Sequence, residues 1–145
     1  MPKCYLLTLT SGSSLDQYSN NVTLFNLVEQ INLPPHAEPP PGALLPLEIH
    51  AYFQLLPHEM NLSFEIRFVL VSSSSGLETP TQAFTHKSTT PRYRTRAFGL
   101  PVPPLSDQFE LRVDFRIEGH QSWTRDNATW PLTMVEASPR EVVTH

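Results

Sequence analysis

The sequence has one cysteine, five glycines and no long apolar run, and each shortage removes a class of protein. Cys4 is the single cysteine and cannot form an internal disulfide, which argues against a disulfide-framed secreted scaffold, and a reducing, cytoplasmic compartment is expected. The glycines, Gly12, Gly42, Gly76, Gly99 and Gly119, stand isolated, which leaves no glycine-rich cradle for a nucleotide phosphate. Nothing approaches the ~20 apolar residues that cross a bilayer, so no membrane-spanning helix is expected. The first apolar run, Cys4 to Leu9, is broken by Thr8 and follows only Lys3; it reads as a first strand rather than a signal peptide. Without an export signal, the acceptor-like triplets at Asn21, Asn61 and Asn127 read as strand and turn residues.

Basic residues are also few. Ten lysines and arginines stand against fourteen acids, a net charge of −4, which disfavours a protein that coats nucleic acid. Residues 1–66 hold only Lys3 against six acids, so any cationic surface must come from the second half. The six histidines are scattered, none paired at the spacing that puts two imidazoles on one ligand face, so neither a metal nor a cofactor is expected. Serine is plentiful but never framed as G-x-S-x-G, and His58-Glu59 falls where a hairpin turn is expected.

What the sequence does have is period-two alternation, which sends successive side chains to opposite faces of a sheet. It runs through Leu45–Phe53, Leu62–Leu70 and Phe109–Ile117, and in the last every intervening residue is charged. Each such strand needs a layer over its apolar face, and no helical pattern long enough is present, so a second sheet must supply it. Further strands are expected over Lys3–Thr10, Val22–Ile31, Thr81–His86, Tyr93–Leu100 and Thr129–Val135; Leu24, Leu27, Val28 and Ile31 also fit a helical face. The expected fold is therefore all-β: one single-domain, antiparallel two-sheet β-sandwich of about eight strands, immunoglobulin-like or similar. It should occupy residues 1–137, with a flexible tail over 138–145. Proline fixes φ and removes a ladder donor, so Pro34 to Pro41 and Pro101 to Pro104 mark stiff connections.

Two features could contact a ligand. Arg92, Arg94 and Arg96 alternate along one strand with no acid among them; joined by Arg112 and Arg116 they could grip phosphate or carboxylate, because guanidinium is a planar bidentate fork. The bland alternative is that they pair across strands with Glu110, Asp114, Glu118 or Glu65. Trp123 and Trp130 flank a polar stretch that reads as a turn between the final strands or an irregular crossing, where an aromatic ring could stack on a sugar or base or simply close one end of the core.

The order of segments is Lys3-Cys4-Tyr5-Leu6, Val22–Ile31 followed by Leu33-Pro34-Pro35, the paired strands 45–53 and 62–71, Phe109–Ile117, and a closing Trp130-Pro131-Leu132. This layout resembles a family of short bacterial proteins with a β-sandwich domain of unknown function. The resemblance implies the fold and no activity. Where that family has a Gly-Tyr-type entry to its penultimate strand, this sequence has Ser106-Asp107-Gln108-Phe109. The function expected is a non-enzymatic binding or interaction module with a protein partner. The alternative is a binder of a glycan or nucleotide-like anion; a hydrolytic enzyme ranks behind both.

Overall fold

The computed structural model describes residues 1–33, 42–102 and 107–136. Its strands are β1 (Lys3–Leu15), β2 (Val22–Leu27), β3 (Gln30–Leu33), β4 (Leu44–Gln54), β5 (Ser63–Ser72), β6 (Glu78–Pro80), β7 (Phe84–Lys87), β8 (Arg92–Pro101), β9 (Asp107–Ile117) and β10 (Thr124–Glu136). A 3₁₀ turn at Pro57–Glu59 links β4 to β5. The strands form two sheets, one of four in the order β2-β1-β4-β8, the other of six in the order β3-β10-β9-β5-β6 with β7 also on β5.

The three alternating segments are β4, β5 and β9, and their apolar sides meet in one core. Ile49, Ala51 and Phe53 of the first sheet face Phe64, Ile66, Phe68, Leu111, Val113 and Phe115 of the second, all essentially removed from water. Across the two layers the rings of Phe53 and Phe115 meet edge to face, with centroids 5.1 Å apart. The all-β expectation holds, with two sheets of four and six strands.

Several boundaries differ from the sequence reading. Val22–Ile31 is neither one strand nor a helix: β2 belongs to the first sheet and β3 to the second. Asn26 takes a left-handed φ of +52° near the end of β2, and past Leu27 the crossing is pinned where the Val28 amide donates to the Leu9 carbonyl at 2.8 Å. The indole N–H of Trp130 donates to the Val28 carbonyl, also at 2.8 Å. Of the strand expected over Thr81–His86, Phe84–His86 is present in β7, and a separate short strand, β6, precedes it; the two lie one after the other along β5. The polar stretch after Trp123 is not a turn but the start of β10, which absorbs it through a register shift between Arg125 and Thr129. In β4, Pro46 sits within the register shift between Leu45 and Glu48, where no ladder donor is required. The proline loop at 34–41, Pro103, Pro104 and the tail over 138–145 lie outside the described residues.

Candidate binding surface on the four-stranded sheet

Alternation along β8 buries Tyr93 and Thr95 and turns Arg92, Arg94, Arg96 and Phe98 to the outer face. The register sets these four beside Gln54, Tyr52, His50 and Glu48 of β4. Arg94 is held in place: its Nη2 donates to the Asn20 carbonyl at 2.9 Å, and its guanidinium lies 5.8 Å from the centre of the Tyr52 ring. Tyr52 in turn meets Tyr5 edge to face at 6.1 Å.

Asn20 reaches this face because the β1–β2 turn is tightly built. The Asp16 carboxylate accepts from the amides of Tyr18 and Ser19 at 2.9 and 3.3 Å, which draws its pKa below the ordinary carboxylate value. Asn20 then takes a left-handed φ of +59° and folds back over the sheet. Between this turn and β8 lies an open cleft of about 690 Å³, lined by Tyr5, Tyr52, Asn20, Asn21, Arg92 and Arg94. Among the described residues, the side chains of Arg92 and Arg96 have no ion-pair or hydrogen-bond partner.

The other candidate arginines are engaged elsewhere. Arg112 pairs with Glu110 at 2.6 Å and Arg116 with Glu65 at 2.5 Å, both on the six-stranded sheet. On the same sheet Arg67 and Arg125 share Asp114 at 3.1 and 2.9 Å, and Arg125 also reaches Glu78 at 2.5 Å. These contacts push the Arg125 pKa further up, and they supply the charge that the buried Asp114 needs. The Trp123 ring centre lies against two guanidiniums, 4.3 Å from that of Arg67 and 4.1 Å from that of Arg116. The structure therefore separates the expected site into two parts. Arg92, Arg94 and Arg96 sit together on one sheet; Arg112, Arg116, Trp123 and Trp130 belong to the other, where their contacts are internal.

Tyr52 was legible in principle, since the alternation of β4 puts it on the polar face with Glu48 and His50. Tyr5 and Asn20 carried no signal, because a strand bulge and a turn bring them there.

Two polar clusters test for chemistry. Ser13 Oγ donates to Glu48 Oε1 at 2.7 Å, and His50 Nε2 lies 3.1 Å from the same oxygen. In a serine–histidine–carboxylate triad the imidazole stands between hydroxyl and carboxylate; here the carboxylate is in the middle, and the hydroxyl and imidazole both bond to Glu48 rather than to each other. Burial holds the His50 imidazole below its ordinary pKa, despite the opposing pull of Glu48. In the second cluster Asp107 accepts from the hydroxyls of Ser72 and Ser74, which hold its carboxyl at about 2. No imidazole is bonded to it among the described residues. Among the described residues no three His, Cys, Asp or Glu side chains gather as a metal centre requires. Cys4 is buried, its Sγ donates to the Leu6 carbonyl at 3.2 Å, and desolvation pushes the thiol up to about 12. No described helix is long and apolar enough to cross a membrane. The sequence matches no protein-family model and no curated protein, so the surface is read from its own geometry.

Proposed function

We propose that the chain is a non-enzymatic binding module, an immunoglobulin-like β-sandwich that offers the outer face of its four-stranded sheet to a protein partner. The topology supports the fold. In an immunoglobulin domain strands A, B and E share one sheet and C, F and G the other. Here β1, β4 and β8 can take the first set of places and β5, β9 and β10 the second. The Phe53–Phe115 pair then joins B to F, where antibody domains carry their disulfide. A buried, protonated Cys4 is at home in a reducing cytoplasm.

One observation carries the functional reading: among seven arginines on described strands, those of β8 lack carboxylate partners while those of the other sheet have them. Cations aligned on one face without carboxylate partners, Arg94 anchored only by the neutral Asn20 carbonyl and Tyr52 ring, suit an anionic partner. The test is affinity capture from host extract with the wild-type chain, an R92E/R94E/R96E variant and an R112E/R116E control. Specific partners should be lost with the β8 variant and kept with the control. Equal capture by all three would refute the reading.

The cleft favours a second reading, in which a glycan or small anion binds between Tyr5, Tyr52, Arg92 and Arg94. A ligand at ~100 times its Kd should add about 2.7 kcal/mol of apparent stability. A thermal-shift screen of sugars, nucleotides and polyphosphates with no response would remove it.

A further inference from the structure

The geometry points to strand addition at β8: an extended, acidic segment of a partner protein pairs antiparallel with its open edge, carboxylates at alternate residues facing Arg92, Arg94 and Arg96. This rests on the binding-module reading and names the partner's chemistry and pose. β8 is the last strand of its sheet, and among the described residues only β4 pairs with it.

The hydrogen-bond phase fixes which groups the edge presents. The Leu55 amide donates to the Pro91 carbonyl at 2.7 Å, so that opposed pair is a bonded one. In an antiparallel ladder bonded and non-bonded pairs alternate. Counting along the register, Phe53↔Tyr93, Ala51↔Thr95 and Ile49↔Ala97 are bonded, while Gln54↔Arg92, Tyr52↔Arg94 and His50↔Arg96 are not. The N–H and C=O groups of the three arginines therefore point away from β4, out of the sheet. In agreement, the Arg92 carbonyl is met from outside the ladder by the Thr90 hydroxyl at 2.9 Å.

One set of residues thus supplies both halves of a recognition surface. A strand added here bonds to the backbone of Arg94 and Arg96, and its residues opposite the arginines carry side chains on the same outer face, as direct cross-strand neighbours. Acids at every second position meet guanidiniums in turn. The row ends at Phe98, 71% exposed, where the partner's residue should be apolar. Beyond it Gly99 has a φ of +99° and the edge bends away. From Arg92 to Phe98 the straight edge spans about 20 Å, a seven-residue segment.

A second copy of the chain does not fit this edge. Antiparallel pairing of two β8 strands about Arg94 would set Arg94 against itself and Arg92 against Arg96, which like charge opposes.

The experiment uses the full chain and a fluorescein-labelled synthetic peptide with leucine first and glutamate at its third, fifth and seventh positions. Anisotropy should show saturable, salt-sensitive binding. Affinity should fall about fivefold to tenfold when the glutamates become glutamines, and similarly in R92Q/R94Q/R96Q, whose melting should match wild type. In the complex, amide exchange at Arg94 and Arg96 should slow relative to the free chain. Binding that leaves those two amides unprotected, or equal affinity for the glutamine peptide, overturns strand addition. So does protection-free binding of single-stranded RNA with no binding of the peptide. If the peptide fails while R92E/R94E/R96E still loses captured protein partners, strand addition falls and the binding-module reading stands; if capture is also unchanged, both fall.

Discussion

Replacing Phe115 with alanine probes the junction between the two sheets. Its ring is 1% exposed and packs against Phe53, itself fully buried, so truncation removes apolar contact from both layers and leaves a cavity between β4 and β9. Large-to-small changes of this kind cost about 3–5 kcal/mol, a large part of the ~5–15 kcal/mol that holds a domain folded. At this chain length roughly 3 °C of Tm is lost per kcal/mol, giving a fall of about 10–15 °C. Urea unfolding followed by tryptophan fluorescence measures the loss, with Phe98→Ala as control, since that exposed ring should change stability by no more than about 0.5 kcal/mol. A cycle through Phe53→Leu and Phe115→Leu should return a coupling of about 0.5–1.5 kcal/mol from edge-to-face geometry. If Phe115→Ala costs no more than Phe98→Ala, the sheets do not share this core and the packing argument fails.

Other consequences follow from single residues. Asp114→Ala strips the shared partner from Arg67 and Arg125 and should cost about 3–5 kcal/mol in the same assay; a change below 1 kcal/mol would mean the network is solvated. Gly99→Ala places a Cβ 2.8 Å from Leu44 Cδ1 at a φ of +99°, so it should destabilise by more than about 1 kcal/mol where a tolerant site would gain. Burial lowers the pKa of both His50 and His86, so the folded state resists their protonation. That stability is present above the ordinary histidine value of 6.5 and declines as pH falls below it, which denaturant midpoints between pH 7.5 and 5.5 would reveal. Cys4 runs the opposite way: its thiol is raised from 9.0 to about 12, so its contribution is intact below 9 and fades as pH climbs toward 12. At pH 8 it should resist thiol reagents in the native chain and react once urea unfolds it.

The sheet content was legible because β4, β5 and β9 carry period-two alternation, complete in Phe109–Ile117, and that period sends side chains to the two faces of a sheet. The division after Leu27 was not, since the apolar positions Leu24, Leu27, Val28 and Ile31 fit a strand or a helix and only the competition between two sheets decides where the segment divides. The start of β10 was hidden for a related reason: Thr124 to Thr129 is polar, yet Arg125 reaches Asp114 and the strand continues through a bulge. For the candidate site, residue spacing revealed that Arg92, Arg94 and Arg96 share a face. It could not reveal that Arg112 and Arg116 lie on the other sheet, because strand order is a long-range property. The carboxylates that occupy Arg112 and Arg116, Glu110 and Glu65, were among those the sequence offered, but choosing between free and paired required the register.

Amide hydrogen exchange along β8 in the free protein decides whether its edge is open. An alternating pattern is expected, with Tyr93, Thr95 and Ala97 protected by β4, and Arg94 and Arg96 exchanging as fast as an exposed edge allows. Uniform protection of all five amides would show that something already covers this edge, and the surface proposed for a partner would not exist.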